Sequence, residues 1–312
     1  MDFTSLLNTI ATLFILMIAG VIASKCNIID EIASKRLSKL ILSIGQPLLI
    51  INSLLGVEYS TDNLLLGLKT LGAGFIVHGI IAVIAYFCCV KFKDFDEKKI
   101  SEFAIVFGNV GFIGFPILES LFGKRGLFMG AFFVISFNIV LWTWGVAILA
   151  RKRNDIKLTV KKVIFNYGTV PSAIGIFIYI LNINLPTFVT MSASYLASLC
   201  TPISVLITGA LLAHQSLKQI FLSPKVYYVS FVKLILIPLV ICGLTKLIGL
   251  NYEWILFLTT VSAMPSATSA AMMSELHDIT PGYAAEVVGT TSLLSIATMP
   301  CMLWLADKIA VL

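Results

Sequence analysis

The sequence contains few charged residues. Asp, Glu, Lys and Arg make up 12% of its 312 residues, whereas 58% are hydrophobic and the mean hydropathy is +0.99. Ordinary soluble domains carry about 25% charged residues. A soluble fold of this size could not bury so much apolar surface, so we expect a membrane protein. The net charge of +6 then has a topological origin and does not indicate a nucleic-acid partner.

The sequence also lacks the motifs of several function classes. It contains no nucleotide-binding GxxxxGK[ST], which argues against an ATP-driven pump, and no HExxH, GxSxG or pair of catalytic carboxylates, which argues against an enzyme. The six cysteines have no metal-ligand spacing. No apolar segment contains an adjacent Asp-Asp pair, which argues against a sodium/proton antiporter. We therefore expect neither a cofactor nor a metal.

Apolar runs that are long enough to cross a bilayer, about 20 residues each, recur along the whole chain. They predict an all-α polytopic membrane protein with ten spans, of which the fourth and ninth are interrupted and the sixth is short. We place the spans at residues 3–24, 36–55, 64–90, 101–122, 126–150, 168–184, 187–213, 225–248, 253–275 and 281–307.

Lys and Arg are distributed unequally between the two sides of these spans. Most of them lie in loops that follow odd-numbered spans, for example at 25–39, 91–99 and 151–162, and few lie in the other loops. Basic loops stay in the cytoplasm. We therefore expect a multi-pass protein of the cell membrane with both termini outside, which agrees with an even number of spans.

The chain is predicted to contain an internal repeat. A basic segment at 151–167 separates two groups of five spans, and an odd number of spans per group makes the two groups insert with opposite orientation. Pro47 in span two matches Pro202 in span seven, and the interruptions in spans four and nine also match. We predict a first repeat at 1–150, a cytoplasmic linker at 151–167 and a second, inverted repeat at 168–312.

The interruptions predict broken helices. Span four contains GNVGFIGFP at 108–116, and span nine contains SAMPSATSA around Pro265. Proline removes an N–H and clashes with the carbonyl one turn earlier, while glycine lets the backbone unwind at low cost. Unwound backbone survives in a membrane only inside protein or beside a wet cavity. Freed N–H ends suit an anionic carboxylate and freed carbonyl ends suit a cation, so we predict a binding site where the two breaks meet.

Polar and backbone-bending residues near the paired prolines are the candidate substrate contacts. Asn109 supplies a donor and an acceptor beside the first break, and hydroxyl groups follow the second. The alternative for these hydroxyls is a hydrogen bond to a carbonyl of their own helix. The candidates are Gly108, Asn109, Gly111, Pro116, Pro265, Ser266, Thr268, Ser269, Gln46, Asn52, Asn138 and Thr201.

The chain resembles the auxin efflux carrier family, particularly its bacterial members. The resemblance rests on GNVGFIGFPI at 108–117 with FG at 122–123, on AMPSATSAAMMSE at 263–275 and on TSLLSIATMP at 291–300. The sequence departs from the family at PSATSAA, which lacks the asparagine of the PVATN that members often have there.

This resemblance implies a fold of ten helices in two inverted five-helix repeats, with crossed broken helices at a central site. Sodium/proton antiporters and bile-acid transporters have a similar fold. The resemblance also implies that Asn109, Pro116 and Pro265 flank the substrate. Family members move organic anions, namely auxin in plants and dicarboxylates such as malate or malonate in bacteria.

Ionisable residues inside the predicted spans are candidates for a functional role, because a charge at the centre of the bilayer costs about 2.5–3.5 kcal/mol on insertion scales. Glu119 and His78 are the candidates for coupling transport to an ion. Glu119 can instead reach the outer surface, and His78 can instead be a hydrogen-bonded core residue. For Lys233 we expect an ammonium that extends to the cytoplasmic interface, with attraction of anions as the alternative.

Taken together, these features favour a secondary active transporter of a small organic anion that works by alternating access. Spans four and nine would rock against a scaffold built largely from spans one, two, six and seven. A sodium-coupled symporter of the bile-acid-transporter type, a passive channel and an anion sensor are the alternatives. The expected partners are the organic anion, a coupling proton or sodium ion, the lipid bilayer and a second copy of the chain in a homodimer.

Overall fold

The computed structural model describes residues 3–153, 161, 164–214 and 223–311, and this part of the chain is all-helical. Most of the helices are connected by short turns. They are α1 (Phe3–Lys25), α2 (Glu31–Leu55), α3 (Thr61–Cys88), α4 (Phe95–Val106), α5 (Val110–Ala150), α6 (Thr169–Ile180), α7 (Thr187–Ser198), α8 (Cys200–His214), α9 (Pro224–Leu247), α10 (Tyr252–Ala263), α11 (Thr268–Leu276) and α12 (Pro281–Val311).

Seven helical segments in the described residues are long and apolar enough to cross a membrane. Six of them are the single helices α1, α2, α3, α5, α9 and α12. The seventh is the segment formed by α7 and α8. Large apolar side chains on their outer faces are exposed, for example Ile76 at 66% and Phe87 at 69%. An exposed apolar surface of this kind is suited to lipid. The prediction of an all-α protein with several membrane spans is therefore confirmed.

The difference between seven long helices and ten predicted spans has a geometric reason. Helix α5 has 41 residues, which is about 60 Å at 1.5 Å per residue and about twice the thickness of the hydrocarbon core. Gly123 interrupts it with φ of 59° and ψ of −148°, a conformation that a residue with a Cβ adopts only under strain. Helix α6, with 12 residues, is below spanning length, as are α4, α10 and α11.

Prolines set most of the local irregularities. A π-helical turn lies two residues before a proline in three helices: Ile41–Gly45 before Pro47, Val110–Gly114 before Pro116 and Val232–Leu236 before Pro238. A wider turn relieves the clash of the proline ring with the preceding turn. The junction of α7 and α8 likewise precedes Pro202.

Helices α1 and α8 make the most extensive contact between two helices in the described residues. A Cβ at Gly20 would overlap the backbone of Leu206, and a Cβ at Gly209 would overlap the backbone of Met17. Small residues allow this close approach, which membrane helices use because dispersion contacts between their backbones replace contacts with lipid.

Polar contacts join helix ends into two groups at the opposite ends of the predicted spans. The pairs at the predicted cytoplasmic ends are Lys35–Glu275, Lys225–Glu97 and Arg151–Glu102, each at 2.5 Å. The contacts at the predicted outer ends are Arg125–Glu253 at 2.6 Å and Tyr179 Oη to the Glu58 carbonyl at 3.2 Å. Each contact joins two ends that were predicted from Lys and Arg to lie on the same side. Much of the predicted linker at 151–167 lies outside the described residues.

The packing of α1 on α8 predicts a difference between two glycines. Gly209→Ala should lower the free energy of unfolding by about 1–3 kcal/mol, because its Cβ has no space against the Met17 backbone. The control is Gly72→Ala in α3, since no atom lies within 4 Å of a Cβ there; alanine should leave stability unchanged or raise it. Thermal unfolding of the purified variants in detergent measures both, and equal stabilities would contradict the packing.

Candidate functional site

Two non-helical segments meet in the interior of the protein. Helix α4 ends at Val106 and α5 begins at Val110, while α10 ends at Ala263 and α11 begins at Thr268. We call residues 107–109 and 264–267 the paired segments. Their backbones run antiparallel and form a bridge between Gly108 and Ser266.

The paired segments satisfy each other's peptide groups. The N–H of Asn109 donates to the carbonyl of Pro265 at 2.7 Å, and the N–H of Ala267 donates to the carbonyl of Phe107 at 2.8 Å. Peptide groups that leave a helix in a water-poor interior must find partners, because each unpaired group costs several kcal/mol. The paired segments therefore stabilise each other, since each supplies the hydrogen-bond partners that the other lacks.

Ser266 links the paired segments to two further helices. It is fully buried; its hydroxyl donates to the Ala104 carbonyl of α4 at 2.9 Å, and its N–H donates to the Thr291 hydroxyl of α12 at 3.2 Å. The alternative expectation, a bond to its own helix, is therefore wrong for Ser266. Thr291 was not among the predicted site residues, although the quoted segment TSLLSIATMP begins with it.

Asn109 and Ser269 present polar atoms without partners beside the paired segments. Asn109 is 3% exposed and caps α5, because its Oδ1 accepts from the N–H of Phe112 at 3.3 Å. Its Nδ2 is buried without a hydrogen-bond partner among the described residues, and so is the Ser269 hydroxyl. Buried polar atoms are nearly always paired, so these atoms are candidate contacts for a ligand.

Helix α2 contributes a further amide. A Cβ at Gly111 would lie 3.4 Å from the Gln46 Nε2, so Gln46 approaches the π-helical turn directly after the first paired segment. Pro116 occupies the first turn of the α-helical part of α5, where its missing N–H is tolerated. Thr268 begins α11 and is partly buried.

Three other candidate residues make no hydrogen bond to the paired segments within the described part of the chain. The Asn138 Nδ2 donates to the Val134 carbonyl of its own helix at 2.9 Å, and its side chain packs against Gly168. Asn52 and Thr201 are partly buried, and within the described residues no hydrogen bond joins them to the paired segments.

The two coupling candidates have different environments. His78 is 3% exposed, and its Nδ1–H donates to the Gly74 carbonyl at 2.6 Å. Its ring centroid lies 6.1 Å from that of Phe107, so His78 approaches the first paired segment. Glu119 is exposed.

The prediction that Lys233 extends to the cytoplasmic interface is wrong, because the residue is buried and only 1% exposed. A Cβ at Gly108 would lie 3.2 Å from the Lys233 Nζ, so the ammonium faces the first paired segment. The reason is that the π-helical turn carrying Lys233 packs against α4, α10 and α12, which directs this side chain inward. No group of His, Cys, Asp and Glu that could hold a metal ion occurs in the described residues.

The long apolar helices indicate a multi-pass membrane protein, and the paired segments lie in its interior. The sequence model of a membrane transport protein family, that of the auxin efflux carriers, matches residues 5–303. The chain therefore belongs to this family.

Relatives agree with this assignment. An uncharacterized transporter of Methanothermobacter thermautotrophicus is 22% identical over 97% of this chain and 99% of its own length. One of Methanocaldococcus jannaschii is 24% identical over 96% and 98%. A protein of Rhizobium meliloti that is provisionally named a malonate transporter is 23% identical over 76% of each chain. Family and relatives are transporters and not enzymes.

The hydrogen bonds of Ser266 predict a stability difference between two neighbouring serines. Ser266→Ala should lower the free energy of unfolding by about 1–3 kcal/mol, because it leaves the buried Ala104 carbonyl without its donor. Ser269→Ala is the control, since the Ser269 hydroxyl has no partner among the described residues, and its stability should stay near that of the parent. Thermal unfolding without added ligand measures both; a neutral Ser266→Ala would show that this bond contributes little.

Proposed function

We propose that the protein is a secondary active transporter of a small organic anion that works by alternating access. The observation that carries the proposal is the backbone pairing of Gly108 with Ser266 beside the unpaired Nδ2 of Asn109. Discontinuous helices whose ends meet in the interior of a membrane protein are a common construction of a transporter's binding site.

The proposed architecture is ten spans in two inverted repeats, 1–150 and 168–312, joined by the linker 151–167. Span four consists of α4 and the part of α5 before Gly123, and span nine consists of α10 and α11. The grouping of polar contacts at the helix ends supports this arrangement, because each contact joins ends on one proposed side of the membrane. Both termini would then lie outside the cell membrane.

The proposed substrate site uses the N-terminal end of α5 and the side chains around it. Asn109 would donate through its free Nδ2 to a carboxylate, while Gly108 and Gly111 keep the backbone accessible. Pro116 and Pro265 maintain the two interruptions, and hydroxyl groups at Thr268 and Ser269 provide further donors. A helix N-terminus favours an anion because its N–H groups and its dipole point toward it.

A carboxylate is the proposed substrate class for two reasons. The Lys233 Nζ and the Asn109 Nδ2, both at the first paired segment, are donors, and the protein of Rhizobium meliloti is provisionally named a malonate transporter. Malonate and malate are therefore the first compounds to test. His78 is the proposed coupling residue near the site, and the coupling ion would be a proton or a sodium ion.

Counterflow in proteoliposomes tests the proposed function. Vesicles loaded with unlabelled malonate or malate should accumulate the labelled compound transiently, because a carrier exchanges substrate across the membrane. A passive channel gives no counterflow, and an anion sensor gives no flux. Imposed proton and sodium gradients then distinguish a proton-coupled carrier from a sodium-coupled symporter.

Asn109→Ala should weaken transport more than a comparable substitution elsewhere. The loss of one hydrogen bond to a charged group predicts a half-saturating concentration about tenfold higher or more. Asn138→Ala is the control, because Asn138 is also buried but bonds to its own helix, and its concentration dependence should stay near that of the parent. Initial rates at several substrate concentrations measure both, and parental kinetics for Asn109→Ala would refute the assigned site.

A further inference from the structure

The ammonium of Lys233 lies close to Gly108 in the first paired segment. Lys233 stands in the π-helical turn Val232–Leu236 of α9 and is 1% exposed. A Cβ built on Gly108 would lie 3.2 Å from its Nζ and 3.4 Å from the Val261 carbonyl oxygen. The absence of a side chain at position 108 therefore leaves the ammonium in direct proximity to the paired backbone.

This ammonium has no counter-ion within the described part of the chain. Lys99 is equally buried, at 1%, but its Nζ lies 2.9 Å from the Asp96 Oδ1. No carboxylate of the described residues lies within ion-pair distance of the Lys233 Nζ, and no hydrogen bond from it to the described residues occurs either. A buried charge without a partner is costly, and buried charges are otherwise paired or neutralised. A partner from outside the chain would remove this cost.

The other unpaired polar groups near this position can also donate. The Asn109 Nδ2 is a donor only, and the Ser269 hydroxyl can donate or accept. The carboxylates in the described ion pairs contact other Lys and Arg side chains, and none of these pairs includes Lys233. An ammonium, an amide and a hydroxyl form a set that suits a carboxylate and repels a metal cation at the same position.

We infer that Lys233 supplies the fixed positive charge of the substrate site and that a carboxylate of the transported anion is its counter-ion. This inference rests on the proposed carrier function. The protein itself then neutralises the charge of one substrate carboxylate, so binding of the anion does not require a sodium ion. The Asn109 Nδ2 and the end of α5 then orient the same carboxylate.

The test is anion binding to the purified full-length protein in detergent. Malonate, malate and acetate are added as choline salts and as sodium salts, and binding is followed by the shift in melting temperature and by equilibrium binding of labelled malonate. A ligand that binds the folded form raises its stability by mass action. The parent should be stabilised by at least one of these carboxylates, equally with choline and with sodium.

Three substitutions separate a role in binding from a role in folding. Lys233→Gln and Lys233→Met should weaken carboxylate binding about 30-fold or more, because one partner of a buried charge pair is removed. The melting temperature without ligand should stay the same or rise, because the buried charge that lacks a partner is gone. Lys99→Gln is the matched control and should keep parental binding, since its ion pair with Asp96 lies at the start of α4.

The experiments distinguish a failure of this inference about Lys233 from a failure of the proposed carrier function. Parental affinity in Lys233→Gln, a dependence of binding on sodium, or a large loss of unliganded stability in both Lys233 variants would each overturn the inference while counterflow by the parent still supports a carrier. Stabilisation of the parent by none of the carboxylates overturns the inference as well. Absence of counterflow by the parent, in contrast, refutes the carrier.

Discussion

The structure depends on the way two non-helical segments pair their peptide groups with each other. Residues 107–109 and 264–267 leave the helical conformation in an interior where water is scarce, and the N–H of Asn109 and the carbonyl of Phe107 find partners across the bridge. The Ser266 hydroxyl adds a bond to α4, and the Thr291 hydroxyl accepts from its N–H. Neither segment would be stable alone, because its peptide groups would lack partners.

Part of this arrangement is visible in the sequence because its causes are local. Glycine and proline weaken a helix at their own position, and the non-helical residues of the structure lie at Gly108 and Pro265. The hydrogen-bond partners of Ser266, in contrast, are not visible in the sequence. Ala104 lies 162 residues away along the chain. Its carbonyl is free because α4 ends at Val106, but which donor reaches it depends on how the helices pack, and local chemistry does not determine that.

Side-chain direction is the other property that the sequence does not determine. Helix α9 is apolar on most of its surface, so its pattern does not distinguish a face toward lipid from a face toward protein. A lysine on such a helix can extend to the interface or turn inward, and packing against α4, α10 and α12 turns Lys233 inward. Asn138 shows that a polar residue in the middle of a predicted span need not face a site, because its buried amide donates to the Val134 carbonyl of its own helix.

The contact between Lys35 and Glu275 has a consequence for motion. It joins the start of α2 to the end of α11, and the two side chains are 57% and 50% exposed. An exposed ion pair contributes about 0–1 kcal/mol and is screened by salt, which is close to thermal energy. This ion pair therefore offers little resistance to a separation of the two helix ends, and a higher ionic strength of the surrounding solution lowers that resistance further.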